Sequence, residues 1–148
     1  MQNIGEGVLE LPQSWFNSSI NIFTAEPPGK PGPSLTVNRD RLQPELTFGD
    51  YANEQLRKLQ AQLKNFKIEE QREIEISGRP ARMFEFTWTT EDGGRMHQML
   101  LTVHGPASIV NLVASHGQPM DSVLRQQMQA ILTSFHLLTD EKPPQNRE

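Results

Sequence analysis

Gln98 stands between Met96 and Leu100 in an alternating run, so on an extended strand these three side chains share one face and a primary amide is set inside an apolar patch. An amide both donates and accepts. In such a setting it either satisfies a neighbouring backbone group or water, or it receives a polar group from a partner. Gln55 and Gln62 carry the same chemistry on a helix expected over 47–66, where Phe48, Ala52, Leu56, Leu59, Leu63 and Phe66 recur at spacings of three and four. At about 100° per residue both glutamines fall about 40 to 60° from Leu59, on one shoulder of that stripe. A third contribution is Ser19-Ile20-Asn21-Ile22-Phe23, which is apolar on both faces of a strand. With Phe23 in the core, Ile20 and Ile22 form an apolar ridge open to a partner. The alternative is a central strand covered on both faces. Ile20, Ile22, Leu59 and Leu63, interspersed with Gln55, Gln62 and Gln98, would suit a transmembrane helix taken out of lipid. Such a helix needs its apolar side chains covered in water, and amides can bond its occasional polar groups as neighbouring helices do in a bilayer.

Other chemistry is poorly supported. His97, His104, His116 and His136 show no i, i+4 pair and no H-E-x-x-H arrangement. His97 and His104, seven apart on one strand, point to opposite faces. Ser14, Ser18 and Ser19 lack a nucleophile elbow, and the glycines match neither a dinucleotide fingerprint nor a phosphate loop. Glu69, Glu70, Glu73 and Glu75 read better as a solvated strand than as a catalytic carboxylate pair. No enzyme, metal or cofactor is expected. The net charge of −4 argues against nucleic acid as a partner, since phosphate binding depends on clustered Lys and Arg. Absence of cysteine removes disulfides and thiolate chemistry together. No apolar run approaches the roughly 18 residues that span a bilayer, and no basic flank precedes an apolar run at the start. A soluble, cytoplasmic chain without direct membrane insertion is expected.

The elements that would carry these side chains can be read along 148 residues, a length suited to one domain. A short edge strand is expected over 5–12, ended by Pro12. Strands over 20–25 and 35–37 flank a connection of Pro, Gly and charged residues over 26–33, which is too rich in breakers for regular structure. After the helix over 47–66, with Thr47 as its cap, come strands over 68–77, 81–90, 96–104 and 108–115. A second amphipathic helix over 119–135 presents Met120, Leu124, Met128, Ile131, Leu132 and Phe135 inward. The order predicts an α+β domain over 1–138, an antiparallel sheet with two main helices packed against it. Residues 139–148 read as a polar, disordered tail.

An ordered set of motifs makes a resemblance specific. Leu11-Pro12-x-x-Trp15, Ser19-Ile20-Asn21-Ile22-Phe23, Asn38-Arg39-Asp40, Phe48-x-Asp50-Tyr51, Gln55-Leu56, Ser77-Gly78-Arg79-Pro80-Ala81 and Gln98 before an apolar strand together resemble the Eag family. These are DcrB-like adaptor chaperones of type VI secretion effectors, and the likeness runs over 5–138. It implies a PsbP-like α/β sandwich and a cytoplasmic homodimer. The implied client is the N-terminal transmembrane region of an effector, usually beside a PAAR domain, kept soluble before loading onto the secretion spike. By position, Ile20 and Ile22 resemble the family's client-facing pair, Gln55 and Gln98 its amide contacts, and Leu59 and Leu63 the adjoining helix face. Gln62 comes from helical geometry alone. Two other readings compete: a PsbP-like or DcrB-like envelope-associated binding protein, and a small ligand-binding or hydrolase domain with a closed pocket.

Overall fold

Alternating apolar and polar residues over 67–116 produce four long strands, and the computed structural model, which describes residues 2–138, joins them to two earlier ones. The polar tail expected over 139–148 lies outside the described residues. In chain order the elements are β1 (Gln2–Asn3), β2 (Val8–Leu9), β3 (Asn21–Thr24), β4 (Ser34–Asp40), α1 (Phe48–Gln62), β5 (Lys67–Ile76), β6 (Arg79–Thr89), β7 (Arg95–His104), β8 (Ile109–His116) and α2 (Ser122–Thr133). The main sheet runs β3-β4-β8-β7-β6-β5, every neighbour antiparallel. The α+β expectation is met, with one helix on each face. Ile76 pairs with Arg79 across Ser77 and Gly78, both at positive φ (54° and 76°), as a two-residue hairpin loop requires.

The period of two along β6, β7 and β8 separates two cores. One face buries Met83, Met99, Leu101, Val103 and Leu112 against Met128 and Leu132 of α2. The other buries Phe84, Phe86 and Leu100 against Ala52, with Leu56, Leu59, Leu63 and Phe66 packed around them. Thr47 caps α1 through a capping box with Asp50, satisfying two of the donors a helix start leaves unpaired. Asp121 caps α2 by accepting from the Leu124 N–H at 2.8 Å.

Three expectations shift at their ends for physical reasons. The strand expected over 5–12 is instead half of a small hairpin, β1 with β2, closed by Ile4 N–H donating to Gly7 O at 3.0 Å with Gly5 at φ 99°. The first helix stops at Gln62 because Asn65 turns to φ 54° and the Arg95 guanidinium holds its carbonyl at 2.8 Å. The second begins at Ser122, not 119. Met120 N–H donates to His97 Nδ1 at 2.9 Å, so the chain there is tied to the sheet before the helix begins.

Candidate functional site

Strand β3 lies at one edge of the sheet, which replaces the central-strand alternative and leaves its side chains uncovered on both faces. Ile20 is 59% exposed and Ile22 67%. Phe23, expected in the core, is 58% exposed and turns toward the α2 face. On the α1 face, pairing aligns Ile22 with Thr36, Val113, Leu100 and Phe84 in one row across the sheet. The adjacent row is Thr24, Ser34, Ser115, Gln98 and Phe86, hydroxyls and an amide leading from the open edge to the core. Gln98 and the Ile22 ridge therefore share one face of the sheet, separated by β4 and β8.

Helix α1 packs on this face of the sheet. Its core cluster draws on β5 to β8, and none of the cluster belongs to β3 or β4. Tyr51 fixes which flank faces the open half: its hydroxyl donates to Asp40 Oδ2 on β4 at 2.9 Å and accepts from Asn111 Nδ2 on β8 at 3.1 Å. Burial and the nearby Asp40 carboxylate push the Tyr51 hydroxyl up to about 12, so it remains a neutral tether. At about 100° per residue, Gln55 and Gln62 project within about 40° of Tyr51, on the flank from which Tyr51 reaches β4 and β8. Gln55 is half-buried, as are Leu59 and Leu63, while Gln62 is exposed.

Gln98 differs from the other amides in having partners of its own. Trp88 Nε1–H donates to Gln98 Oε1 at 2.7 Å, and Gln98 Nε2 donates to Ser115 Oγ at 2.8 Å. One N–H and one lone pair remain for another group. Several cavities open among the described residues. One of them, about 420 Å³, is an apolar groove on the opposite face lined by Phe23, Leu35, Ala114, Met128 and Ile131. The sequence offered Phe23 as a core residue and so hid this groove.

The histidines also gain a role that spacing did not reveal. His97 Nε2 lies 2.8 Å from Glu85 Oε2, while its Nδ1 accepts the Met120 N–H, which uses both ring nitrogens. Arg125 of α2 holds both Glu85 oxygens and reaches Glu70 at 2.9 Å. Burial favours the neutral Glu85 carboxyl, but Arg125 and His97 outweigh it and hold the group below the usual carboxylate range. This network clamps α2 to β6 and β7 and leaves no free ring nitrogen for proton transfer. Among the described residues, no group of three or more His, Asp or Glu is placed to hold a metal. No helix among them is long and apolar enough to cross a membrane.

Comparison with known proteins agrees with this architecture. Effector EagT6 of Pseudomonas aeruginosa is 29% identical over 117 residues, covering 78% of this chain and 81% of that protein. The crystal structure of PA94, a Pseudomonas aeruginosa protein of unknown function, superposes with a TM-score of 0.74 at 25% identity, covering 96% of each chain. Cyanobacterial PsbP from Synechocystis shares the fold at a TM-score of 0.56 and 10% identity, over 89% of this chain and 100% of the other. The DcrB family model matches residues 6–134, the span that holds both helices and the whole six-stranded sheet, and the chain belongs to that family.

Proposed function

We propose that this chain is a cytoplasmic, non-enzymatic chaperone and adaptor that covers the N-terminal transmembrane helices of a type VI secretion effector, typically beside a PAAR domain, and that it works as a homodimer. The observation that carries this reading is the exposed Ile22 on the sheet face that also presents Gln98, with exposed Ile20 just before the strand and Gln55, Leu59, Gln62 and Leu63 on α1. The likeness to a protein named Effector EagT6 supports an effector as the partner. Apolar contact would supply most of the affinity, at about 25 cal/mol per Å² buried before ordering costs. The amides would select register by meeting polar groups of the client helix.

Co-expression with the N-terminal fragment of an effector tests the reading. Wild-type chain is expected to co-purify with the fragment and keep it soluble. Ile22→Asp places a charge where an apolar helix must pack and is expected to lose the fragment while keeping its own fold, because Ile22 is exposed in the free chain. A folded Ile22→Asp variant that holds the fragment as well as wild type overturns the proposed surface.

A further inference from the structure

The side-chain amide of Gln98 has a direction, and the indole beside it sets that direction. Trp88 on β6 lies diagonally across from Gln98 on β7, since Trp88 pairs with Met96 and Phe86 with Gln98. Its Nε1–H reaches one end of the amide at 2.7 Å, and an indole nitrogen only donates. That end is therefore the oxygen. The nitrogen lies at the other end, on the side of β8, where it donates to Ser115 Oγ at 2.8 Å. Because Ser115 accepts this bond, its own O–H turns away from the amide.

The three groups form a line of donors running one way, from the α1 core toward the open edge: Trp88 N–H to Gln98, Gln98 N–H to Ser115, and Ser115 O–H beyond. Bonds in such a line polarise one another. The register carries the same row on through Ser34 of β4 and Thr24 of β3. Packing holds the indole in place as well, since Trp88 joins Leu59, Leu63 and Phe66 in the cluster under α1. The unused lone pair of the Gln98 oxygen lies on that inner side. Gln98 is only half-buried, so its second Nε2–H is within reach of a molecule laid on this face.

We infer that Trp88 is a positioning residue for the proposed client surface: it locks the Gln98 amide with its nitrogen toward the open half of the sheet, so that this point of the surface takes a carbonyl oxygen of the client. A transmembrane helix carries such oxygens at its last turn, where four backbone carbonyls lack intrahelical partners. The free N–H groups of its first turn would meet a donor here and are disfavoured. The inference rests on the proposed function and names the polarity that one of its amides selects.

Gln98→Glu isolates the direction of the amide. A carboxylate still accepts from Trp88 N–H at one oxygen and takes the Ser115 O–H at the other, so both internal bonds survive while the donors that face the client are lost. Urea unfolding at pH 7 is expected to give the wild-type midpoint. Affinity for the N-terminal effector fragment is expected to fall by about tenfold or more, because an acceptor is left opposite an acceptor. Trp88→Phe keeps an aromatic ring but releases the amide, so about half of the molecules present the oxygen instead and affinity falls by about twofold. Proton–nitrogen correlation spectra separate positioning from packing. In wild type and in Gln98→Glu alike, the Trp88 indole N–H is expected to exchange with solvent far more slowly than that of Trp15, which is 63% exposed. Addition of the fragment to wild type is expected to shift the Gln98 side-chain N–H signals. A Trp88 N–H that exchanges as fast as that of Trp15, or a folded Gln98→Glu or Trp88→Phe variant that binds the fragment as tightly as wild type, overturns the inference. A wild-type chain that does not hold the fragment overturns the proposed function itself, so the two failures are told apart.

Discussion

Gln98 shows how much of a residue's role depends on register. Its alternation with Met96 and Leu100 places an amide on an apolar face, which is legible in the sequence. That Trp88 and Ser115 hold that amide depends on β7 lying between β6 and β8, which no local pattern encodes. Gln98→Leu is expected to destabilise the chain by about 1–3 kcal/mol in urea unfolding, because it leaves the Trp88 N–H without an acceptor. A neutral result would mean that water replaces Gln98 and that its chief contact is with a partner. Glu85 gives a pH dependence. Its carboxyl in the folded chain lies below the usual glutamate range, burial being outweighed by Arg125 and His97. The ionised form therefore contributes fully to stability above about pH 4.5, and that contribution is lost as pH falls through the depressed folded value. Glu85→Gln is expected to be less stable than wild type by about 1.5–3 kcal/mol at pH 7, with the gap closing in acid. Urea unfolding between pH 3 and pH 7 checks it, and a gap independent of pH would show that the charge on Glu85 contributes nothing.

Helices and long strands were legible because their periods are local, while their ends were set by contacts with distant segments. The apolar stripe of α1 and its Thr47 cap are written in adjacent residues, and they fix which flank carries Gln55 and Gln62. Its end is not, since Arg95 takes the Asn65 carbonyl thirty residues away. Strand order was illegible for the same reason: β4 pairs with β8, bringing Asn38 opposite Asn111. The site inherits this division. Its helix side could be read directly, but the placement of β3 at an edge, and with it the exposure of Phe23, follows from the pairing of β4. Thr47→Ala removes the side-chain acceptor for Asp50 N–H and is expected to lower stability by about 1 kcal/mol. Thermal unfolding followed by circular dichroism measures this, and a loss much below 0.5 kcal/mol would mean that Asp50 holds the helix start unaided.

In the whole molecule, two helices cover opposite faces of a sheet wider than either, and the uncovered part falls at β3. The connection through α1 takes the chain from β4 to the far edge, so the first strands made and the charged β5 end up on opposite sides. Of the two edges, β5 is charged and bulged, while Asn21–Thr24 of β3 carries no charge. Removing the protection of β5 would give each chain two unprotected edges, and edge-to-edge contact could then continue from chain to chain without closure. The combined variant Glu69→Thr, Glu73→Thr and Glu75→Thr removes three of the charges along β5 while keeping residues that favour strands. Light scattering is expected to show species larger than any the wild type forms, growing with concentration. Fluorescence of Trp88, which lies in the α1 core, reports whether the fold itself is retained. A folded variant with the wild-type size distribution would mean that the bulge between Ile68 and Glu70 protects this edge without help from its charges.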